Sequence, residues 1–384
     1  MKSQEFDYII CGGGASGLLL LNGFLDDPFF KNKTILLIEK EEKNSNDRTW
    51  CFWEKESLPL DLPVAAHWTA AQFDASQFSL PFSLLPYRYM MVRSKPFYKG
   101  CYLKVKKSNR VTLLHAEVEK IDSHGTKTSV TTATGEFISK CVFSSIYDPQ
   151  NLYKQKKYPV LQQHFVGWFV RTKTVCFDPN RIRFMDFDIP QKGQTRFMYV
   201  LPMDSKNALF EYTLFSAELL PLDEYEKGIK NYLEKMGINE YEIVEKEQGS
   251  IPMTSFPFEK ENTPSLLHIG TAGGWTKAST GFTFLNTKRQ VKRLLLFLKE
   301  NRPLTAFTSR NRFYYYDLLF LDVLSSHNAL GGELFKQMFS KNTPQRIFRF
   351  LDEQTSKWEE LRILSSFTFQ QKFWFLRALV RRIF

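Results

Sequence analysis

The chain has 384 residues, 43% apolar and 15% aromatic, with 36 phenylalanines and a net charge of +11. That length exceeds one small core and predicts two or three subdomains. The charge admits nucleic acid, an anionic membrane or a general surface bias, but no RRM, KH, helix-turn-helix or zinc-finger signature is present, so nucleic acid is not expected and a membrane surface is preferred.

In chain order, Tyr8-Ile9-Ile10-Cys11 reads as a buried strand, followed by a glycine turn and a helix over Leu18 to Leu25. Gly12, Gly14 and Gly17 have the G-x-G-x-x-G spacing. Gly12 permits the tight turn, Gly14 lets a pyrophosphate approach, and Gly17 lets helix and strand pack closely. Gly12, Gly14, Ala15 and Gly17 are therefore candidate phosphate contacts at a helix N-terminus. A second apolar strand over Thr34 to Ile38 ends on Glu39, about twenty residues on, where a ribose-binding acid is expected. An acid there favours FAD or NAD over NADP.

Next, Asp47-Arg48-Thr49-Trp50-Cys51-Phe52-Trp53 alternates too tightly for a helix face. It reads as a core strand or as a lining for cofactor or substrate. A strand over Tyr87 to Val92 and a helix over Ser94 to Leu103 follow. Runs at Val111 to Val118, Thr128 to Thr132, Phe137-Ile138 and Lys140 to Ser145 suggest a β-meander returning to the first sheet. His115 and His124 are isolated and read as structural.

Period-2 runs at His164–Val170, Thr195–Pro202 and Ala208–Phe215 predict an antiparallel sheet with one face on a pocket or core. A helix over Asp223 to Met236 follows. Leu266 to Gly270 is another buried strand, leading into a second glycine turn through Gly273, Thr280 and Gly281, then a helix over Leu285 to Leu298. The tail is helical and aromatic, with one stretch running from Phe313 to Asn342 and an amphipathic one from Lys357 to Phe384. Its terminal mix of aromatics and arginines suits either an interfacial helix or a cap on the substrate domain.

Five cysteines (Cys11, Cys51, Cys101, Cys141, Cys176) show no C-x-x-C spacing. They read as reduced cytosolic thiols, with neither a disulfide framework nor a metal site expected. No signal peptide is visible. No apolar run reaches the roughly 18 residues of a membrane span.

These motifs together resemble the bacterial lycopene β-cyclases. Asp47–Phe52 is similar to the family's N-H-T-W-S-F block, Tyr89–Phe97 to Y-x-x-V-R-S-x-x-F, and His164–Trp168 to Q-x-F-x-G-W. Met185-Asp186 with Arg196–Pro202 looks like M-D followed by R-F-x-Y-x-L-P. Gly273–Gly281 looks like A-G-x-x-H-P-x-T-G-Y, although Gly270-Thr271 stands where an Asp is usual.

The resemblance implies an α/β fold: a Rossmann-type FAD-binding domain of the glutathione-reductase and hydroxylase kind, an antiparallel-sheet substrate domain and a helical C-terminal region. The expected divisions are 1–60, 88–160 and 262–300 for the FAD domain, 61–87 and 161–261 for the substrate domain, and 301–384 for the helical region. It implies reduced FAD as cofactor, NAD(P)H as electron donor, and redox-neutral, acid-catalysed cyclisation of lycopene. It further implies a cytoplasmic protein, peripheral on the inner membrane; oligomeric state stays open. Glu211, in Phe210-Glu211-Tyr212-Thr213, matches the family's catalytic acid. Tyr212 replaces a second acid of that motif, which puts in doubt a carboxylate pair. Asp186 is a secondary candidate for positioning or proton relay. Arg93, Gly270, Gly273, Thr280 and Gly281 are candidate flavin contacts. A flavin monooxygenase or prenyl reductase of the same fold is the competing reading, and a non-catalytic flavin-binding protein is a third.

Overall fold

The structure, a computed structural model, describes residues 3–55, 62–308 and 310–383. Its centre is a five-stranded parallel sheet in the order Leu266–His268, Val142–Ser144, Tyr8–Cys11, Ile35–Glu39, Val111–His115. Tyr8–Cys11 and Ile35–Glu39 are buried at every position. That suits parallel strands covered on both faces. Ala15–Asp26, Ser94–Lys106 and Phe284–Leu298 pack one face through Leu18, Leu21, Phe24, Phe97 and Leu294. The meander Val118–His124, Lys127–Thr132 and Gly135–Ser139 covers the other through Val130 and Phe137.

Beside it stands a seven-stranded sheet in the order Tyr241–Met253, Leu161–Thr172, Asn207–Ser216, Thr195–Pro202, Arg181–Asp186, Ala70–Ala75, Phe78–Ser83. All its pairings are antiparallel except that of Arg181–Asp186 with Ala70–Ala75. A three-stranded sheet of Thr49–Lys55, Tyr87–Arg93 and Val64–Trp68 lies between the two. The aromatic block at Trp50–Trp53 is thus a strand.

Alternation along the large sheet sorts its side chains. Val166, Trp168, Phe210 and Tyr212 pack on the helix Leu222–Lys235. Phe169, Phe197, Tyr199, Leu209 and Phe215 point the other way, toward Phe335, Phe339 and Phe348 of the C-terminal helices. Much of the phenylalanine content therefore builds this second core. Phe73 stacks on Phe339 at 4.3 Å and Phe187 on Phe335 at 5.4 Å.

The C-terminal region differs from the two long helical stretches expected. Arg312–Ser326 stops before Gly331–Lys341 because Asn328 turns into the sheet edge. Its side chain accepts from Thr195 N (2.8 Å) and donates to the Phe215 carbonyl (2.7 Å). Pro344–Leu351 follows. Lys357–Ser365 and Phe369–Ile383 are separated where Thr368 and Gln371 cap each other reciprocally, a new helix start rather than a continuation.

Candidate active site

The N-terminal turn is shaped for a dinucleotide. Gly12 has φ +101°, a conformation L side chains rarely adopt. A Cβ on Gly17 would lie 2.0 Å from the Gly12 carbonyl oxygen, whereas one on Gly14 would meet nothing within 4 Å. Close packing at one glycine and open space at the other, before the helix opened by Ala15, is what a bound pyrophosphate requires. Glu39 ends its strand beside this turn. It accepts from Gly13 N at 2.5 Å and from Glu41 N at 2.9 Å.

The second glycine signature folds onto the first. Gly270 (φ +62°) sits against Ser16, whose Oγ would be 2.4 Å from a Cβ there. Gly273 is pressed on the His268 carbonyl, and Gly281 (φ +72°) on the Gln163 side chain. Thr280 Oγ1 and Gln163 Oε1 are buried with no hydrogen-bond partner among the described residues. Open valences at a glycine loop suit a polar cofactor. Arg93 comes to the same region, over the Phe169 ring at 4.0 Å and paired with Glu245.

Glu211 lies in the middle of this arrangement. It pairs in register with Tyr199 on one side and Gly167 on the other, and Gly167 pairs with Glu247. Tyr199, Glu211, Gly167 and Glu247 therefore form one row across four strands, on one face of the sheet. Thr49, Trp50, Cys51, Tyr89, Phe165 and the Gly281–Phe284 segment close over Glu211 and leave a cavity of about 100 Å³. Desolvation, then the nearby Glu247 carboxylate, pushes the pKa of Glu211 up to about 8; one hydrogen bond from Thr213 Oγ1 (2.8 Å) opposes them. Glu211 is thus a carboxylic acid at neutral pH, able to donate a proton within an aromatic enclosure.

Glu247 was not legible as a site residue. It stands in the edge strand Tyr241–Met253, where half-buried and exposed positions alternate and the neighbouring Glu242, Glu245 and Lys246 give no local sign of a site. The available signal was Gly167, a glycine inside a strand, which marks a close approach.

Asp186 is not brought to Glu211. It pairs with Met198, in the row of Tyr212, and so points to the opposite face. There it accepts from Tyr232 Oη (2.6 Å) and Asp188 N (2.8 Å). The sheet stands between Asp186 and the Glu211 cavity, which corrects the relay expectation.

A second cavity, about 270 Å³ and almost wholly apolar, lies among the C-terminal helices. Leu319, Phe320, Phe335, Met338, Phe367 and Phe375 line it, together with Ser279 and Thr280. Thr280 and Gly281 thus sit between the two cavities. No group of three or more His, Cys, Asp or Glu suited to a metal ion occurs among the described residues.

A parallel dinucleotide sheet, a large antiparallel sheet and a raised-pKa acid between them define the class: the α/β fold of FAD-dependent flavoproteins. The chain is similar to a geranylgeranyl bacteriochlorophyll reductase-like protein from Thermoplasma acidophilum (12% identity, 95% of this chain and 96% of that one, TM-score 0.59). It is also similar to a flavoprotein/dehydrogenase from Cytophaga hutchinsonii (12% identity, 99% of each chain, TM-score 0.59). The flavin-dependent brominase Bmp2 has the same fold (14% identity, 99% of each chain, TM-score 0.56). No curated protein matches. Residues 7–375 match the lycopene cyclase protein family, to which this chain belongs.

Proposed function

We propose that the chain is a lycopene β-cyclase, converting the ψ-ends of lycopene to β-ionone rings, first γ-carotene and then β-carotene, without net redox change. Family membership supports the substrate class. The observation that carries the chemistry is Glu211, a protonated carboxyl enclosed by aromatic side chains. Its proton goes to the terminal alkene, the cation closes on the neighbouring double bond, and a ring proton returns to the carboxylate. Trp50, Tyr89, Phe165, Tyr199 and Phe284 exclude water and present π faces to the cation.

FAD is the cofactor proposed for the glycine cradle, and NAD(P)H the donor that reduces it. Gly12, Gly14, Ala15 and Gly17 hold its pyrophosphate and Glu39 its ribose; Arg93, Gly270, Gly273, Thr280 and Gly281 hold the remainder. When bound and reduced, the flavin supplies negative charge to a developing carbocation.

The apolar cavity accommodates the rest of the polyene. Leu364, Leu376 and Leu379 line it and are also solvent-exposed, on a face with Trp358 (77% exposed), Phe369 (89%), Phe373 and Ile383. Arg377 and Arg381 are exposed on the same final helix. An apolar face set among basic residues suits an anionic bilayer, and no helix among the described residues is long and apolar enough to cross one. The exposed apolar and basic face supports the proposal of peripheral attachment to a membrane, on the cytoplasmic side of the inner membrane. Flotation with phosphatidylglycerol vesicles should carry the protein, and the Trp358→Ser/Phe369→Ser/Phe373→Ser variant should stay behind.

The deciding experiment is pigment chromatography of lycopene-accumulating bacteria expressing this protein or its Glu211→Gln variant. Conversion by the wild type alone is expected. Persistent lycopene beside soluble, flavin-loaded wild type, with NAD(P)H consumed on another isoprenoid, would instead make it an oxidoreductase of the same fold.

A further inference from the structure

The loss of the second acid next to Glu211 in sequence leaves open whether the acid works alone. The sheet register answers differently from the sequence. Glu211 and Glu247 flank Gly167 on neighbouring strands and point to the same face. Strands lie about 4.8 Å apart, so roughly 10 Å separates the two backbones, and two glutamate side chains span that gap only if nothing stands between them. The middle residue is glycine and puts no side chain there; Leu209 Cδ1 is the only other side chain among the three atoms nearest to a Cβ built on it, at 3.0 Å. Glu247 leans into the space: a Cβ on Gly167 would lie 2.9 Å from its Cγ and 3.2 Å from its Oε1.

The two carboxyls differ in their partners. Burial raises the pKa of Glu247 above the ordinary glutamate value; the hydroxyl of Thr49, donating to its Oε2 at 2.5 Å, and then the Arg93 and Arg48 guanidiniums oppose that rise and favour its charge. Its Oε1, over Gly167, is closed off from solvent and has no partner among the described residues. Glu211 has one hydroxyl, from Thr213, and no cation acting on it. A lone buried carboxylate oxygen is costly unless a proton reaches it.

We propose that Glu211 and Glu247 form one carboxyl pair across Gly167 that shares a single proton, with Glu211 the acid and Glu247 its ionised positioning partner. This rests on the cyclase reading for its substrate, but not for the pair itself. In the reaction the pair gives one proton to an alkene carbon and receives one from the ring. No electron changes hands and no co-reactant is needed. Between those steps both carboxylates are ionised and face the cation, which disfavours water capture and favours return of the proton. Glu247 supplies, from two strands away across Gly167, the second acid that Tyr212 displaced.

The other titratable groups around Glu211 stay uncharged through the relevant range. Burial holds Cys51, Tyr89 and Tyr199 well above their ordinary values. Glu245 is paired with Arg93, so the net field of those two on the pair is small. Arg48 lies on the Glu247 side. After burial itself, Glu247 is therefore the charged group that holds the proton on Glu211.

The test reads the carboxyl directly by infrared titration of the flavin-loaded protein, beside a pH–rate profile for lycopene cyclisation in vesicles. The wild type should show one buried protonated carboxyl titrating above neutral pH, and Glu211→Gln should abolish that band. Glu247→Gln should keep the band but move its midpoint at least one pH unit lower, and move the alkaline limb of the rate profile with it. Glu247→Asp, which keeps the charge, should restore part of both. An unmoved midpoint in a folded, flavin-loaded Glu247→Gln protein would overturn the pair whatever the substrate. A moved midpoint without any cyclisation by the wild type would keep the pair and refute the cyclase reading.

Discussion

The two faces of the seven-stranded sheet bury their ionisable groups in different ways. On the face covered by Leu222–Lys235, the charged groups and the imidazole are paired, although Trp168 Nε1 and Arg196 Nε have no partner among the described residues. Arg196 meets Glu224 at 3.0 Å and Gln194 at 2.6 Å. His164 lies between Ser216 and Tyr225, and burial lowers its pKa to about 4, so it stays neutral. Asp186 is held by Tyr232 and a backbone N–H. On the face toward the glycine cradle, Glu211 has one hydroxyl and Glu247 has a free oxygen. Matched burial specifies a core, whereas unmatched burial leaves a proton ready to move. The same strands do both because side chains alternate.

The largest effect expected from breaking the second face is that of Glu211→Gln. Removing a general acid costs on the order of 10²- to 10⁴-fold, measured as β-carotene formed per flavin-loaded protein. The same change should stabilise the fold. Glu211 has a folded-state pKa of about 8 against an ordinary 4.5, so the folded chain holds its proton more tightly than the unfolded one. Stability from this group is full below about 4.5 and declines as pH rises toward 8. Glutamine removes that decline, so the variant's Tm should exceed the wild type's at pH 8 by a few degrees, on the order of 1–2 kcal/mol, and the gain should vanish near pH 4. Wild-type cyclisation should correspondingly fall tenfold per unit above about pH 8.

Next comes Gly167→Ala. Its methyl would stand 2.9 Å from Glu247 Cγ and 3.0 Å from Leu209 Cδ1. Overpacking of this kind costs about 1–3 kcal/mol, read by denaturant unfolding. Cyclisation should fall by roughly tenfold, because a 1 Å displacement of a catalytic group is expensive. Unchanged activity would mean that the two carboxyls do not need the space between them.

Much of the first domain was legible because its signals are local. Gly12, Gly14, Gly17 and Glu39 sit within one β-α-β unit, and each has the surroundings its spacing implies. The antiparallel runs were legible from period-2 alternation, and Glu211 from a family motif. Pairing across strands was not. Glu247 lies 36 positions from Glu211, and only register brings the two beside Gly167. Nor does sequence tell which face of a strand meets a helix: Asp186 and Glu211 both follow an aliphatic or aromatic residue in a buried strand. The helix breaks at Asn328 and Thr368 depend on side-chain caps, which compete with helix continuation through tertiary partners that periodicity does not report.

The smallest effect belongs to the matched face and tests the comparison from the other side. Asp186→Asn keeps an oxygen for Asp188 N and sets its amide NH2 opposite Tyr232 Oη, a hydroxyl that can turn to accept, while removing the charge. Burial raises the pKa of Asp186 above its ordinary 3.8, against the hydrogen bonds from Tyr232 and Asp188. Its stability contribution therefore declines as pH rises past that value, and the neutral amide should cost under about 1 kcal/mol at pH 7. Asp186→Ala strands the Tyr232 hydroxyl and should cost about 1–3 kcal/mol. Neither change should alter the cyclisation rate of folded, flavin-loaded protein by more than about twofold, since surface and remote structural groups act on stability rather than on the transition state. A loss with Asp186→Asn as deep as that with Glu211→Gln, at unchanged Tm, would mean that a proton crosses the sheet, and the two faces would then form one site.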